Sequence, residues 1–140
     1  MNDPEDDVGL WLAKAYNDLR GAQRMIDIAP PILDLACYHC QQTAEKALKG
    51  FLVFKHAGFD RTHNLNYLLH LCATYDESFN NLMDDAELLT PYAVEVRYPG
   101  DAFAPPLEEA KKALEAVLKV WGFVLARLPT EYHPIPESPS

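Results

Sequence analysis

The stretch ILDLACYHCQQTAEKALKGFLVFKH, residues 32–56, decides the fold of this chain. Placed around a helix axis at about 100° per residue, most of its apolar side chains gather on one face. A second face, which includes Gln42, Glu45 and Lys49, is polar in the middle and apolar at its margins. A solvated face rarely has apolar margins. We therefore predict a long helix whose second face is also partly covered, by another helix or by another subunit.

Apolar residues at helical spacing also precede this stretch. Pro30 ends the pattern, because proline breaks a helix interior. The apolar stripe consists of Val8, Trp11, Ala15, Leu19, Ala22 and Ile26. Steps of three and four residues along this stripe predict a first helix with one buried face.

Helical spacing continues after the stretch as well. Thr62 or Asn64 can cap a third helix, and Ser78 can cap a fourth that kinks or restarts at Thr90-Pro91. Residues 107–128 carry an unbroken 3-4-3-4 apolar repeat, which predicts a last helix. The sequence therefore predicts an all-α, antiparallel up-and-down bundle of four long helices plus one short helix.

Length and composition indicate one intracellular domain. The 140 residues fit a single bundle over residues 8–128, with flexible tails at 1–7 and 129–140. No apolar run approaches the roughly 18 residues that span a bilayer, and the acidic N-terminus carries no export signal. Three cysteines do not form a disulfide framework. We predict a cytoplasmic protein without membrane contact.

The charge balance limits the classes of partner. Lysine and arginine number 12 and aspartate and glutamate 21, which gives a net charge of −9. Proteins that bind nucleic acid broadly are usually basic, because neutralised phosphates supply most of the affinity. The composition disfavours broad nucleic-acid binding and leaves room for a local basic site.

The Cys-x-x-Cys at Cys37 and Cys40 has two interpretations. Redox and zinc versions of this motif place the thiols at a helix N-terminus or in a knuckle. Here both sulfurs fall in mid-helix on the apolar face, so we favour core packing over a metal or redox site that would also use Cys72 or a histidine. No Glu-x-x-His pair, phosphate loop or zinc motif occurs elsewhere. We predict no metal and no cofactor.

Three short motifs carry the functional prediction. They are QQTAEKALK at residues 41–49, Thr62-His63-Asn64-Leu65 at the start of the third helix, and Arg97-Tyr98-Pro99 at the end of the fourth. In this order, together with the tryptophan and Asp18-Leu19 of the first helix, they resemble the HEPN family (higher eukaryotes and prokaryotes nucleotide-binding domain). The resemblance is to the small stand-alone prokaryotic type and extends from about residue 8 to residue 128.

This resemblance implies a bundle that forms a homodimer around a shared polar cleft. It also implies a small nucleotidyltransferase as partner, in a toxin–antitoxin-type pair, and a site for nucleotide or RNA phosphate. The residues that it assigns to this site are Gln42, Glu45, Lys46, Lys49, His63, Arg97 and Tyr98.

Catalytic members of the family that this chain resembles use an Arg-x(4–6)-His motif to cleave RNA without a metal. In that motif the arginine would hold the phosphate and the histidine would move protons. Arg97 matches the arginine, but residues 102–104 are Ala-Phe-Ala, so the histidine is absent. This departure argues against intrinsic ribonuclease activity, unless His63 lies close enough to replace it.

The alternative interpretation is a non-catalytic interaction module without a nucleotide ligand. Arg97 would then pair with an acid such as Glu45 or Glu95 inside the bundle, because a half-buried arginine needs a carboxylate. Gln42 and Tyr38 would then serve a dimer interface.

Overall fold

A computed structural model describes residues 3–94 and 105–136 of the chain. Its α-helices are α1 (Val8–Asp27), α2 (Leu33–Phe54), α3 (Leu65–Tyr75), α4 (Met83–Leu89) and α5 (Leu107–Leu125). The remaining regular elements in the described ranges are short 3-10 turns, and these ranges contain no strand. The predicted all-α bundle is confirmed, although α3 and α4 are shorter than the other three helices.

Helix α2 lies at the centre of the bundle. It packs most extensively against α1 and then against α5 and α3. Polar residues are buried along it together with the apolar ones: Gln41, Gln42, Thr43, Glu45 and Lys49. The predicted cover over the second face is therefore present, and it comes from the same chain.

Helix α1 positions a tryptophan next to this polar face. The Asp7 carboxylate caps the helix by accepting a hydrogen bond from the backbone N–H of Leu10 at 3.1 Å. The buried stripe is Val8, Leu12, Ala15, Leu19 and Ala22. Trp11, which the sequence pattern placed in this stripe, lies partly exposed at its edge, while Leu12 takes the core position.

The segment from α3 to α4 differs from the prediction in its caps. Asn64, one of the two predicted candidates, caps α3 by accepting from the N–H of Tyr67 at 3.1 Å. The predicted cap at Ser78 is wrong. Asp76 takes this role, because its carboxylate accepts from both the N–H and the hydroxyl of Ser78. The predicted fourth helix begins as the 3-10 turn Glu77–Leu82, continues as α4 and restarts as a second 3-10 turn at Thr90–Tyr92.

Short turns flank the bundle at both ends. Pro4–Asp6 and Thr130–Tyr132 are 3-10 turns. The indole N–H of Trp11 donates to the backbone carbonyl of Glu5 at 2.8 Å, and this bond holds the first turn against α1. The Tyr132 ring packs edge-on against Phe54 with 6.0 Å between ring centroids.

No helix in the described part of the chain combines the length and the apolar character that crossing a membrane requires.

Candidate functional site

Glu45 is the centre of a buried polar cluster on α2. Its carboxylate accepts a hydrogen bond from the Lys49 ammonium at 3.0 Å and contacts His63 Nδ1 at 2.8 Å. The side-chain amides of Gln41 and Gln42 lie 3.5 and 3.4 Å from the same oxygen that contacts His63. An ionised carboxylate can only accept, so in this arrangement Nδ1 carries the proton and donates. We call these five residues the Glu45 cluster.

Helical spacing and one loop bring this cluster together. Gln42, Glu45 and Lys49 are three and four positions apart on α2, so they share one side of the helix. His63 arrives from the loop before α3, and its backbone carbonyl accepts a hydrogen bond from the Gln41 amide at 3.1 Å. The loop begins at His56, whose φ of 56° ends α2 in a left-handed turn. The histidine is therefore held through both its ring and its backbone.

Trp11 covers the ammonium end of the cluster. The Lys49 nitrogen lies 5.6 Å from the centroid of the Trp11 ring, within the range of a cation–π contact. Helices α1 and α2 approach closely here because residue 50 is glycine. A Cβ at Gly50 would lie 3.2 Å from a methyl carbon of Leu12 and 3.4 Å from the Cβ of Trp11. The glycine therefore allows the Trp11 end of α1 to lie close against α2.

An open pocket of about 830 Å³ adjoins the cluster. Lys49 and His63 are the members of the Glu45 cluster that line it. Further lining residues are Glu5, Asp6, Trp11, Val53, His56, Ala57, Gly58, Phe59, Arg61 and Thr62. The pocket therefore combines an apolar, aromatic wall with side chains of both charges.

A second cluster lies where α1 and α2 meet. The Asp18 carboxylate accepts from the Lys46 ammonium at 2.6 Å and contacts His39 Nδ1 at 2.7 Å. Burial alone raises the pKa of Asp18, but the hydrogen bonds from His39 and Lys46 outweigh it, so the net pKa is lowered. We call these three residues the Asp18 cluster.

The three cysteines are buried core residues, as predicted. Burial raises the pKa of Cys37 to about 11, with a smaller contribution from the Glu109 charge, and it raises that of Cys40 to about 12. The pKa of the Cys72 thiol is also raised by burial. These thiols are therefore neutral at physiological pH. No group of three or more His, Cys, Asp or Glu side chains that could hold a metal ion occurs within the described ranges.

Comparison with known protein families identifies the domain. Residues 8–128 match the family model of the HEPN domain. The chain belongs to the HEPN family. The predicted resemblance is therefore confirmed, over the same residues that the motifs indicated.

Two solved structures are similar to this HEPN chain. ST0689, described as an archaeal HEPN homologue, superposes with a TM-score of 0.70 at 24% identity, over 86% of this chain and 97% of that one. TT1696 from Thermus thermophilus superposes with a TM-score of 0.66 at 31% identity, over 84% and 95%. No curated protein matches the sequence.

The structure divides the predicted HEPN site residues. Gln42, Glu45, Lys49 and His63 lie together, whereas Lys46 belongs to the Asp18 cluster. Lys46 directly follows Glu45, so its side chain leaves α2 about 100° further around the axis. Arg97 and Tyr98 lie outside the described residues.

Three residues in or beside the two clusters were not predicted as site residues. Gln41 bonds His63, Trp11 covers Lys49, and His39 shares Asp18 with Lys46. His39 follows Asp18 by 21 positions, and no local pattern links residues so far apart. Gln41 was detectable, because it adjoins Gln42 within the same motif.

Proposed function

We propose that this HEPN protein is the homodimeric partner of a small nucleotidyltransferase in a toxin–antitoxin-type pair. It binds nucleotide or RNA phosphate in the polar cleft at the Glu45 cluster, and it has no intrinsic ribonuclease activity. The observation that supports the proposal best is the exposed His63 imidazole, which lines a pocket while a buried carboxylate holds its Nδ1.

His63 and Lys49 are suited to different parts of phosphate recognition. The His63 side chain is 70% exposed, and in the described part of the chain its Nε2 makes no hydrogen bond. In the protonated ring this nitrogen also carries a hydrogen, which it can donate to a phosphate oxygen of a ligand. Lys49 lies deeper, and its charge is balanced by Glu45 at 3.0 Å, so it supports the site more than it attracts the ligand. The Gln42 side-chain amide lies 3.4 Å from the Glu45 oxygen that contacts His63 and can donate to it.

Arg97 would supply the strongest phosphate contact, because a guanidinium offers two parallel donors to phosphate oxygens. Tyr98 follows it directly and would add a hydroxyl. Lys46 would contribute less, since Asp18 already balances its charge at 2.6 Å.

Ribonuclease activity would need a proton-transferring group near Arg97, and Ala102, Phe103 and Ala104 occupy the positions at which the family motif has its histidine. We expect the purified protein to leave RNA intact in EDTA. Cleavage that persists in EDTA and disappears in Arg97→Ala would contradict this part of the proposal.

Binding can be separated from structure with a single substitution. Arg97→Ala should lower the affinity for a labelled nucleotide about tenfold or more, while the melting temperature stays within about 2 °C of wild type. Lys112→Ala, which removes one exposed positive charge from α5, serves as the control and should leave the affinity unchanged.

The partner claims need separate measurements. Light scattering should give twice the monomer mass at micromolar concentration, and a tagged copy should co-purify with a nucleotidyltransferase encoded beside it. A monomer that captures no such enzyme would contradict this part of the proposal.

One observation favours the alternative of a structural or interaction module. Each lysine in the two clusters has a carboxylate partner, Glu45 for Lys49 and Asp18 for Lys46. Under this alternative, Arg97→Ala would lower the melting temperature markedly, and the protein would have no nucleotide affinity to lose.

A further inference from the structure

Building on the proposed phosphate site, the geometry points to one ligand class: we propose that the pocket binds a single free nucleotide. The aromatic base lies against Trp11, and one phosphate lies at the rim formed by His63 and Arg61. The proposed function leaves nucleotide and RNA strand open, and the walls of the pocket favour the first.

The size of the pocket suits a small ligand. Its volume of about 830 Å³ falls within the range of about 300–1,000 Å³ that is typical of small-molecule sites. The Pro4–Asp6 turn, helices α1 and α2 and the loop before α3 all contribute lining residues, so a small ligand would be contacted from several elements.

Trp11 is preorganised as a stacking surface. Its indole N–H donates to the Glu5 carbonyl at 2.8 Å, and the Lys49 ammonium lies 5.6 Å from the ring centroid. Two independent contacts thus fix the ring before a ligand arrives, which lowers the entropy lost on binding. Phe59 lines the same pocket and extends the aromatic wall. Bases stack well on fixed aromatic rings, and bare phosphate gains nothing from them.

The charges of the pocket limit the number of phosphates. Lys49 is balanced by Glu45, and Arg61 is paired with Glu5 at 2.6 Å, while Asp6 adds a further negative charge to the wall. Each additional nucleotide of a strand would bring another phosphate toward a chain of net charge −9. Carboxylates can, however, accept hydrogen bonds from a base amino group or a ribose hydroxyl. A ligand with one phosphate, one base and one sugar adds little negative charge and also offers donors to these carboxylates.

Tryptophan fluorescence provides a direct test. The chain contains two tryptophans, and Trp121→Phe leaves Trp11 as the remaining one. The probes are AMP, adenosine, ribose 5-phosphate and a short oligoadenylate. AMP should quench Trp11 saturably, while adenosine and ribose 5-phosphate should each bind at least about tenfold more weakly. Oligoadenylate should bind no more tightly than AMP.

Two further variants locate the phosphate. Arg61→Ala should weaken AMP binding about tenfold and leave the weaker adenosine binding unchanged, because adenosine has no phosphate. Lys112→Ala should change neither. If Trp121→Phe fails to fold, the indole N–H signal of Trp11 in wild-type protein, followed by NMR, gives the same readout.

The outcomes separate this inference from the proposed function. Equal affinity for ribose 5-phosphate and AMP would agree with a phosphate site but would contradict the stacking of a base on Trp11. Tighter binding of oligoadenylate with a steep salt dependence would keep the proposed function and overturn the single-nucleotide inference. Failure of all four probes to bind would overturn this inference and the phosphate-binding part of the proposed function.

Discussion

The Glu45 and Asp18 clusters are built from the same parts but are placed differently. In each, one carboxylate, buried in Glu45 and partly buried in Asp18, holds one lysine and one histidine through Nδ1. Glu45 borders a pocket, and its histidine comes from a loop and is 70% exposed. Asp18 lies between two helices, and its histidine is 27% exposed.

This difference indicates separate roles. The Asp18 cluster joins α1 to α2, so its hydrogen bonds satisfy the protein itself. The Glu45 cluster holds Lys49 internally but presents His63 to the pocket. Under the proposed function, a similar set of side chains stabilises the bundle at one site and presents a histidine to a ligand at the other.

The largest expected change in stability comes from removing the carboxylate of Glu45, which is more deeply buried than that of Asp18. Glu45→Ala leaves the Lys49 charge buried without a partner, and we expect a loss of about 3–5 kcal/mol in the free energy of unfolding. Urea unfolding followed by circular dichroism measures it. The double variant Glu45→Met/Lys49→Met removes both charges and should recover much of the loss. A loss below about 1 kcal/mol in Glu45→Ala would show that water reaches Lys49.

Removing the Asp18 carboxylate should lower the free energy of unfolding by a smaller amount. In Asp18→Asn, Lys46 and His39 lose their partner, but both are partly exposed and can turn toward water. We expect about 1–2 kcal/mol by the same measurement. A loss equal to that of Glu45→Ala would remove the distinction between the two clusters.

Replacing each histidine by alanine separates a role in ligand binding from a role in stability. His63→Ala should lower nucleotide affinity about tenfold and change stability by less than about 0.5 kcal/mol, since the ring is mostly exposed. His39→Ala should destabilise by about 1 kcal/mol and leave affinity unchanged. Calorimetric titration and urea unfolding of both variants give the affinity and the stability of each. The reverse pattern would place binding at the Asp18 cluster.

The smallest effect is a pH dependence of the Asp18 cluster. The pKa of Asp18 is lowered in the folded state, so its contribution to stability is complete above the unfolded value of about 3.8 and is lost as the pH falls through the lower folded value. The stability difference between wild type and Asp18→Asn should shrink as the pH falls below about pH 4. The lowered pKa of Asp76 belongs to both proteins, so it cancels in this difference.

The helices were predictable from sequence because apolar spacing is a local signal. The stretch at residues 32–56 predicted α2 to within about two residues at each end, and its polar second face indicated a covered surface. The cluster of Gln42, Glu45 and Lys49 follows from the same spacing. The cap at Asp76 was missed, because Asp76 and Ser78 are both suitable N-cap residues and only the backbone decides between them.

The sequence could not predict in the same way that the motif residues belong to two separate clusters. Lys46 and Lys49 belong to one sequence motif, and only the contact with Asp18, 28 positions earlier than Lys46, separates their roles. Trp11 fitted the apolar stripe as well as Leu12 did. Which of the two enters the core depends on how α1 packs against Gly50.

An NMR titration of labelled wild-type protein with AMP tests the central claim most directly. The indole N–H of Trp11 and the backbone amides of residues 56–63 should shift saturably, while the indole of Trp121 and the amides around Asp18 and His39 stay in place. Shifts centred on the Asp18 cluster, or no shifts at millimolar AMP, would contradict the assignment of the ligand site to the pocket beside Glu45.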